Sequence, residues 1–211
     1  MVKIPKIKII DRTEYIKSKC NNKSVLDLGC CDDAPESTGL PFLHNEIVKV
    51  ASKVTGVDIN PNAIEKLGKN IVICNVENLD KSILQGQKYD IIVASELIEH
   101  LNNPGLFLQS VKDFLKDDGL LIIATPSPFS IKQILLYFCG YETSPISHTC
   151  YFSYATLKVL LGRFGFKIIE CYFFHWGKQK IHSKIINFLI EKIPFLRKFA
   201  DHIIIAAIKD V

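Results

Sequence analysis

The sequence predicts a single α/β domain over residues 1–211: a doubly wound, seven-stranded, mostly parallel sheet with helices on both faces and the last strand antiparallel. Three observations predict it. Seven apolar runs alternate with helix-length amphipathic segments, the pattern of βαβ units. Several runs are continuously apolar, as strands covered on both faces are. The last two are joined by a basic segment and not by a compact crossover, which places an antiparallel excursion at one sheet edge.

Taken in order, the strands are SVLDLG (24–29), KVTGVDI (53–59), NIVICNV (70–76), YDIIVAS (89–95), GLLIIATP (119–126), GFKIIECYFF (165–174) and HIIIAAIK (202–209). Helices are expected over roughly 43–52, 61–68, 104–116, 130–138, 153–164 and 181–198. Within 178–199, Ile181, Ile185, Ile186, Leu189 and Ile193 fall near helical spacing, and six Lys/Arg stand against one Glu. This basic amphipathic insertion suits an anionic membrane surface or a polyanionic substrate, or packs on the sheet with a solvated face. Pro194 should break or kink it.

A composition of 48% hydrophobic and 23% charged residues excludes a disordered chain. The net charge of +4 is too small to argue for nucleic acid by itself. Seven cysteines, an odd number without a C-x-x-C pair, indicate neither a disulfide framework nor a zinc finger, and the expectation is a reducing compartment. There is no signal-peptide core and no run of about 18 uncharged apolar residues. The expected location is cytoplasmic, peripheral to the inner membrane surface if the basic insertion binds lipid.

In open parallel sheets a ligand lies outside the carboxyl ends of the strands. Four strand ends carry suitable residues: Asp27, Leu28 and Gly29; Asp58 and Ile59; Asn75, Val76 and Glu77; Ser95 and Glu96. Gly29 lets backbone pass close to a ligand, with Cys30 and Cys31 completing the turn. Asp58 is placed to take both hydroxyls of a ribose, and 75–78 to flank an adenine. A dinucleotide fits poorly. Its phosphates need glycines that open N–H groups, whereas Asp32 and Asp33 put carboxylates there. At ~4 Å and an effective dielectric of 20, each such pair repels by about 4 kcal/mol. A phosphate-free cationic ligand such as S-adenosylmethionine fits the loop better.

The segments VLDLGC, VTGVDINPNAIEKL, NVENL, YDIIVASELIEHLNNPGLFLQSVKDFLKDDGLLIIATPSPFS and HTCYFSYATLKVLLGRFGFKIIE resemble the class I S-adenosylmethionine-dependent methyltransferase superfamily over roughly residues 20–210. The resemblance implies a Rossmann-like fold with Asp27 and Gly29 beside the methionine part, Asp58 on the ribose and Val76–Glu77 beside the adenine. Cys31 and Asp33 stand where the superfamily usually has glycines, and Asn75 where it has an acid. A branch with a similar glycine-poor loop follows it with Leu-His, as Leu43-His44 does here.

SELIEHL sets Glu96, Glu99 and His100 after the fourth strand, on one face if the segment is helical. With His148 of SHTCYFS they make a candidate site for Mg²⁺ or another divalent cation, which would grip a vicinal diol or catechol and aim its oxygen at the methyl. Without metal, His100 or His148 is the candidate general base, beside Glu99. Ubiquinone-pathway O-methyltransferases and small-RNA 2′-O-methyltransferases have a similar Glu-x-x-Glu-His segment. The leading expectation is therefore O-methylation of a small-molecule or glycan hydroxyl. Alternatives are a metal-assisted RNA ribose 2′-O-methyltransferase, with RNA as partner, and a non-catalytic binding protein that has lost the cofactor. The oligomeric state is open.

Overall fold

The computed structural model describes residues 2–31, 42–68, 70–79, 81–142, 144–175, 188 and 190–210. Asp32 and Asp33 lie outside the described residues. So do 178–187 and Leu189 of the basic insertion.

One seven-stranded sheet organises the chain: β1 (Ser24–Leu28), β2 (Lys53–Asp58), β3 (Ile71–Ile73), β4 (Tyr89–Ser95), β5 (Leu115–Pro126), β6 (Phe166–Phe174) and β7 (His202–Lys209). Their order is β3-β2-β1-β4-β5-β7-β6, with β7 inserted antiparallel between β5 and β6 and the other pairings parallel. The carboxyl ends of β1 to β6 therefore share one side with the start of β7. The order reverses between β1 and β4, which opens the ligand crevice of doubly wound folds.

The expected continuous apolar runs are covered on both faces. On one face Leu26, Leu28, Ile92, Leu121, Ile123 and Ile205 pack with Phe107, Leu108 and Val111 of α4 (Pro104–Phe114) and Leu157 and Leu161 of α6 (Tyr154–Arg163). On the other, Val25, Ile91, Val93, Ile122 and Ile204 pack with Ile16 and Cys20 of α1 (Arg12–Cys20) and Ile47 of α2 (Leu43–Val48). Burying each large side chain contributes roughly 1.5–3 kcal/mol. The remaining helices are α3 (Ala63–Leu67) and α5 (Ile131–Phe138).

Helix α2 ends at Val48, short of 52, β3 ends at Ile73, short of 76, and four larger differences follow. Helix α1 has no counterpart in the sequence reading; its marks are Asp11, whose side chain accepts from Glu14 N–H as an N-cap, and Lys17 and Lys19 in the last turn. α4 stops at Phe114, two residues early, because buried Leu115 turns extended and pairs with Tyr89; exposed Asp117 and Asp118 then bulge out before the ladder resumes at Leu120. The basic helix does not run to 198: helical residues reach Lys192, and Pro194 opens a 3-10 turn through Phe199, with Ile193 driven out of the α region as a residue before proline is. Lastly, Glu96 to His100 do not form one helical face. Glu96 sits at φ 55° and only Ile98–His100 make a 3-10 turn.

No helix among the described residues is long and apolar enough to cross a membrane.

Candidate active site

A cavity of about 610 Å³ lies at the switch point, within the range of small-molecule sites. Each of the four strand ends contributes to its lining: Asp27, Gly29, Cys30 and Cys31 after β1, Asp58 and Ile59 after β2, Asn75, Val76 and Glu77 after β3, Ser95 and Glu96 after β4. Leu28 does not. Its side chain is fully buried in the core, because alternation along β1 turns it away from the face that carries Asp27.

The acids are fixed by backbone N–H groups and, for Asp27, by an imidazole. Asp58 Oδ2 accepts from Cys31 N–H and Oδ1 from Asn60 N–H, both at 2.8 Å, so lone pairs remain on each oxygen. Asp27 is buried and pairs with His44 Nδ1 at 2.8 Å, the imidazole arriving from the second residue of α2. Asn75 Oδ1 accepts from Glu77 N–H and caps the turn 76–78, while a Glu77 carboxylate oxygen accepts from Asn103 N–H. Gly29, at φ 68°, takes a left-handed turn that a side chain would oppose, and its N–H donates to the Val57 carbonyl. Cys31 packs partly against the small cluster of Cys30, Ala63 and Ile71, which is how the turn accommodates it without a glycine. Burial pushes the Cys30 thiol far up, so it stays protonated.

A cluster of ionisable groups adjoins the cavity at His100, with Glu99 and His148 behind it. Glu99, His100 and His148 each bring a ligand atom within 4.8 Å of the others. The two imidazoles meet edge to face at 4.6 Å between centroids, and His100 lines the cavity. Glu99 is fully buried; Oε2 accepts from Thr125 Oγ1 at 2.9 Å and Oε1 has no partner among the described residues. Burial, and then the charge of Glu96, hold its carboxyl well above the ordinary carboxylate range. Burial and the neighbouring His100 push His148 below the usual imidazole value. Glu96 is not part of the three-residue group: its Oε2 lies 3.2 Å from His202 Nε2 at the start of β7. The left-handed backbone at Glu96, costly for a residue with a Cβ, breaks the helical spacing, yet its carboxylate still lies beside that of Glu99.

The profile of a family described as a methyltransferase domain matches residues 8–171. This chain belongs to that family. A relative, the ubiquinone biosynthesis O-methyltransferase of Glaesserella parasuis, is 34% identical over 145 residues. The match covers 62% of this methyltransferase-domain chain and 58% of the relative, so the chain spans under three-fifths of that protein's length. The (S)-coclaurine N-methyltransferase of Papaver somniferum is 36% identical over 107 residues, 49% of this chain and 29% of its own. The crystal structure of a SAM-dependent methyltransferase from Archaeoglobus fulgidus superposes with a TM-score of 0.60 at 20% identity, covering 92% of this chain and 89% of that one, which establishes a shared fold.

Two residues of this methyltransferase-domain site carry no spacing signature. Arg12, in the first turn of α1, is 8% exposed, donates from Nη1 to Ser95 Oγ at 3.1 Å and lines the cavity at the end away from Asp58. His202 joins the site through Glu96 and stacks on Phe174 at 5.0 Å.

Proposed function

We propose that this protein transfers the methyl group of S-adenosylmethionine to a hydroxyl oxygen of a small molecule or glycan. The observation that carries the reading is the single cavity joining all four strand ends, acidic at Asp58 and cationic at Arg12. Asp58 would grip the ribose, Ile59 and Val76 flank the adenine, and Arg12 meet the methionine carboxylate. Asp27, Gly29 and Glu96 lie between, a carboxylate-rich stretch suited to the amino group and sulfonium. No glycine-opened phosphate cradle is needed for this ligand.

Oxygen as acceptor is favoured by the name of the Glaesserella parasuis relative and by groups able to handle a hydroxyl proton. Methyl transfer is an in-line displacement, so alignment carries much of the rate. Without an ion, the acceptor proton falls to His148 or His100, of which His148 is kept neutral and able to accept.

A divalent ion also belongs to the proposal. Glu99 Oε1 and His148 Nδ1 are buried without hydrogen-bond partners among the described residues, beside His100, and fit an ion. One carboxylate with two imidazoles suits Zn²⁺, Mn²⁺ or Fe²⁺ better than Mg²⁺, which prefers oxygen donors. Such an ion would lower the pKa of a coordinated diol. An anionic membrane surface is proposed as a partner of the basic insertion on narrower ground: Phe188 is exposed beneath Lys192, and Phe195 and Lys198 are exposed in the turn that follows.

The test is transfer of a labelled methyl group to diol-bearing small molecules, glycans and RNA, with and without chelator. Transfer to a small-molecule or glycan hydroxyl is expected, at least tenfold slower with chelator or in Glu99→Ala. Transfer to RNA alone would replace this reading by the ribose 2′-O-methyltransferase one. A folded sample that binds no S-adenosylmethionine would leave a non-catalytic binding protein. Activity that survives both chelation and Glu99→Ala would remove the ion.

A further inference from the structure

A second cavity, of about 620 Å³, lies over the same end of the sheet, between the N-terminal arm, the first turn of α1, the end of β6 and the turn after Lys192. The arm is held in place by the sheet: Ile10 N–H donates to the Phe173 carbonyl and Phe173 N–H to the Lys8 carbonyl, so residues 8–10 run parallel beside β6.

The lining is rich in groups for an anion. Lys8, Arg12 and Arg197 contribute three fixed cations against the carboxylates of Asp11 and Glu191. One Asp11 oxygen is already taken by Glu14 N–H. Arg197 is aimed by its own Nε, which donates to the Glu191 carbonyl at 2.9 Å. Arg12 and Thr13 are the first two residues of the nine-residue α1, so the positive end of that helix adds to the potential.

An independent observation points to a ligand. The His175 side chain, which lines this cavity, is 9% exposed; its Nδ1 lies 3.1 Å from Asp201 Oδ2, and its Nε2 is buried without a hydrogen-bond partner among the described residues. Leaving such an atom unpaired opposes folding unless a ligand pairs it. The Asp201 contact fixes the ring, so Nε2 is the nitrogen left for whatever enters.

We propose that this cavity is an acceptor subsite that takes a carboxylate or phosphate carried by the molecule to be methylated. The inference rests on the methyl-transfer reading, and Arg12 supplies the connection. It lines both cavities, its Nη1 reaching Ser95 Oγ at 3.1 Å and its Cζ standing 5.9 Å from the centroid of Phe174. An acceptor anchored by its acid group against Lys8, Arg197 and His175 extends past Arg12 toward the donor. The subsite thus selects acidic diols over neutral ones.

Isothermal titration of the full chain saturated with S-adenosylhomocysteine tests this, with 3,4-dihydroxybenzoate, 4-methylcatechol and inorganic phosphate as probes. The first two share a diol and differ in the acid. The acid is expected to bind at least tenfold more tightly than the methylcatechol, and phosphate to compete with it. Arg197→Gln and His175→Gln should each erase the difference while changing the affinity for S-adenosylhomocysteine less than twofold. His175→Gln gives up the Asp201 contact; Arg197→Gln leaves it in place and keeps the test sound if the first variant folds poorly. Equal affinity for the two diols, or an acid preference that survives Arg197→Gln, overturns the proposal. So does phosphate that binds without displacing the acid, which would mark a free-anion site. If S-adenosylhomocysteine itself fails to bind, the cofactor reading fails, and the diol comparison on the unliganded protein still judges the subsite.

Discussion

At Gly56 a Cβ would come within 2.5 Å of Ile71 Cδ1, 2.7 Å of Cys30 Sγ and 3.0 Å of His44 Cε1. Gly56 stands opposite Asp27 in the β1–β2 register, so the missing side chain is what lets the Asp27–His44 pair and the Cys30 turn close on the sheet. Gly56→Ala should destabilise the fold by about 1–3 kcal/mol in urea unfolding and weaken S-adenosylhomocysteine binding, because two of the displaced side chains, Cys30 and His44, line the cavity. A variant with both quantities unchanged would show that the turn has slack. Glu99 gives the second prediction at this scale. Its acid form is favoured in the fold, so ionisation opposes folding. That cost is absent below ~pH 4, grows as the pH rises from the unfolded value toward the raised folded one, and is complete above it. With chelator present, Glu99→Gln should be more stable than the parent by about 1–3 kcal/mol at pH 9 and no more stable at pH 4, read from urea midpoints. A gain independent of pH would refute the buried-charge account.

Among the elements, the opposite end of the sheet is tied by one carboxylate. Asp90, at the start of β4, accepts from Ser24 N–H at 2.9 Å, from Ser24 Oγ at 2.5 Å and from Lys116 Nζ at 2.7 Å, joining β1, β4 and β5. Lys116 and then Ser24 hold its carboxyl well below the usual carboxylate range. Its contribution is therefore complete above ~pH 4 and is lost as the pH falls below the unfolded value toward the folded one. Asp90→Asn should cost roughly 1 kcal/mol at pH 7, allowing for solvent screening, and progressively less below pH 4. A loss that stays constant down to pH 2 would count against it. The strands themselves are readable in the sequence because both faces are covered: Val25 and Leu26, or Ile91 and Ile92, are apolar for different cores. Helix α1 is not, since Ile16 and Cys20 are its only buried apolar residues in a polar segment; the Asp11–Glu14 cap was the signal available. The Glu96–His100 segment misleads for another reason. A spacing of three and four implies a shared face only when the backbone is helical, and Glu96 leaves that region.

For the molecule as a whole, the part of the site that sequence reveals is the part topology guarantees. Once β1 to β4 are parallel, Asp27, Asp58, Asn75 and Glu96 must gather at one end. Arg12, His175 and His202 come from the N-terminal arm and the antiparallel excursion, and Arg12 reaches Ser95 across 83 positions, a separation that no local pattern encodes. Arg12 lines both cavities and ties them to β4, so ligand binding should be linked to the stability of the entire fold. At a hundredfold excess over its dissociation constant, a ligand that binds only the native state adds about 2.7 kcal/mol. For a chain of this size, that corresponds to a rise in melting temperature of roughly 5–10 °C. S-adenosylhomocysteine should produce such a rise. Asp58→Ala melts lower at the outset, because Cys31 and Asn60 N–H lose their acceptor. The ligand-induced rise is therefore the quantity to compare, and at the same ligand concentration a tenfold weaker affinity should cut it to about half. An undiminished rise in Asp58→Ala would mean that the ribose grip lies elsewhere. Adding phosphate at saturating S-adenosylhomocysteine should raise the melting temperature further in the parent and not in Arg197→Gln, because the two cavities load separately.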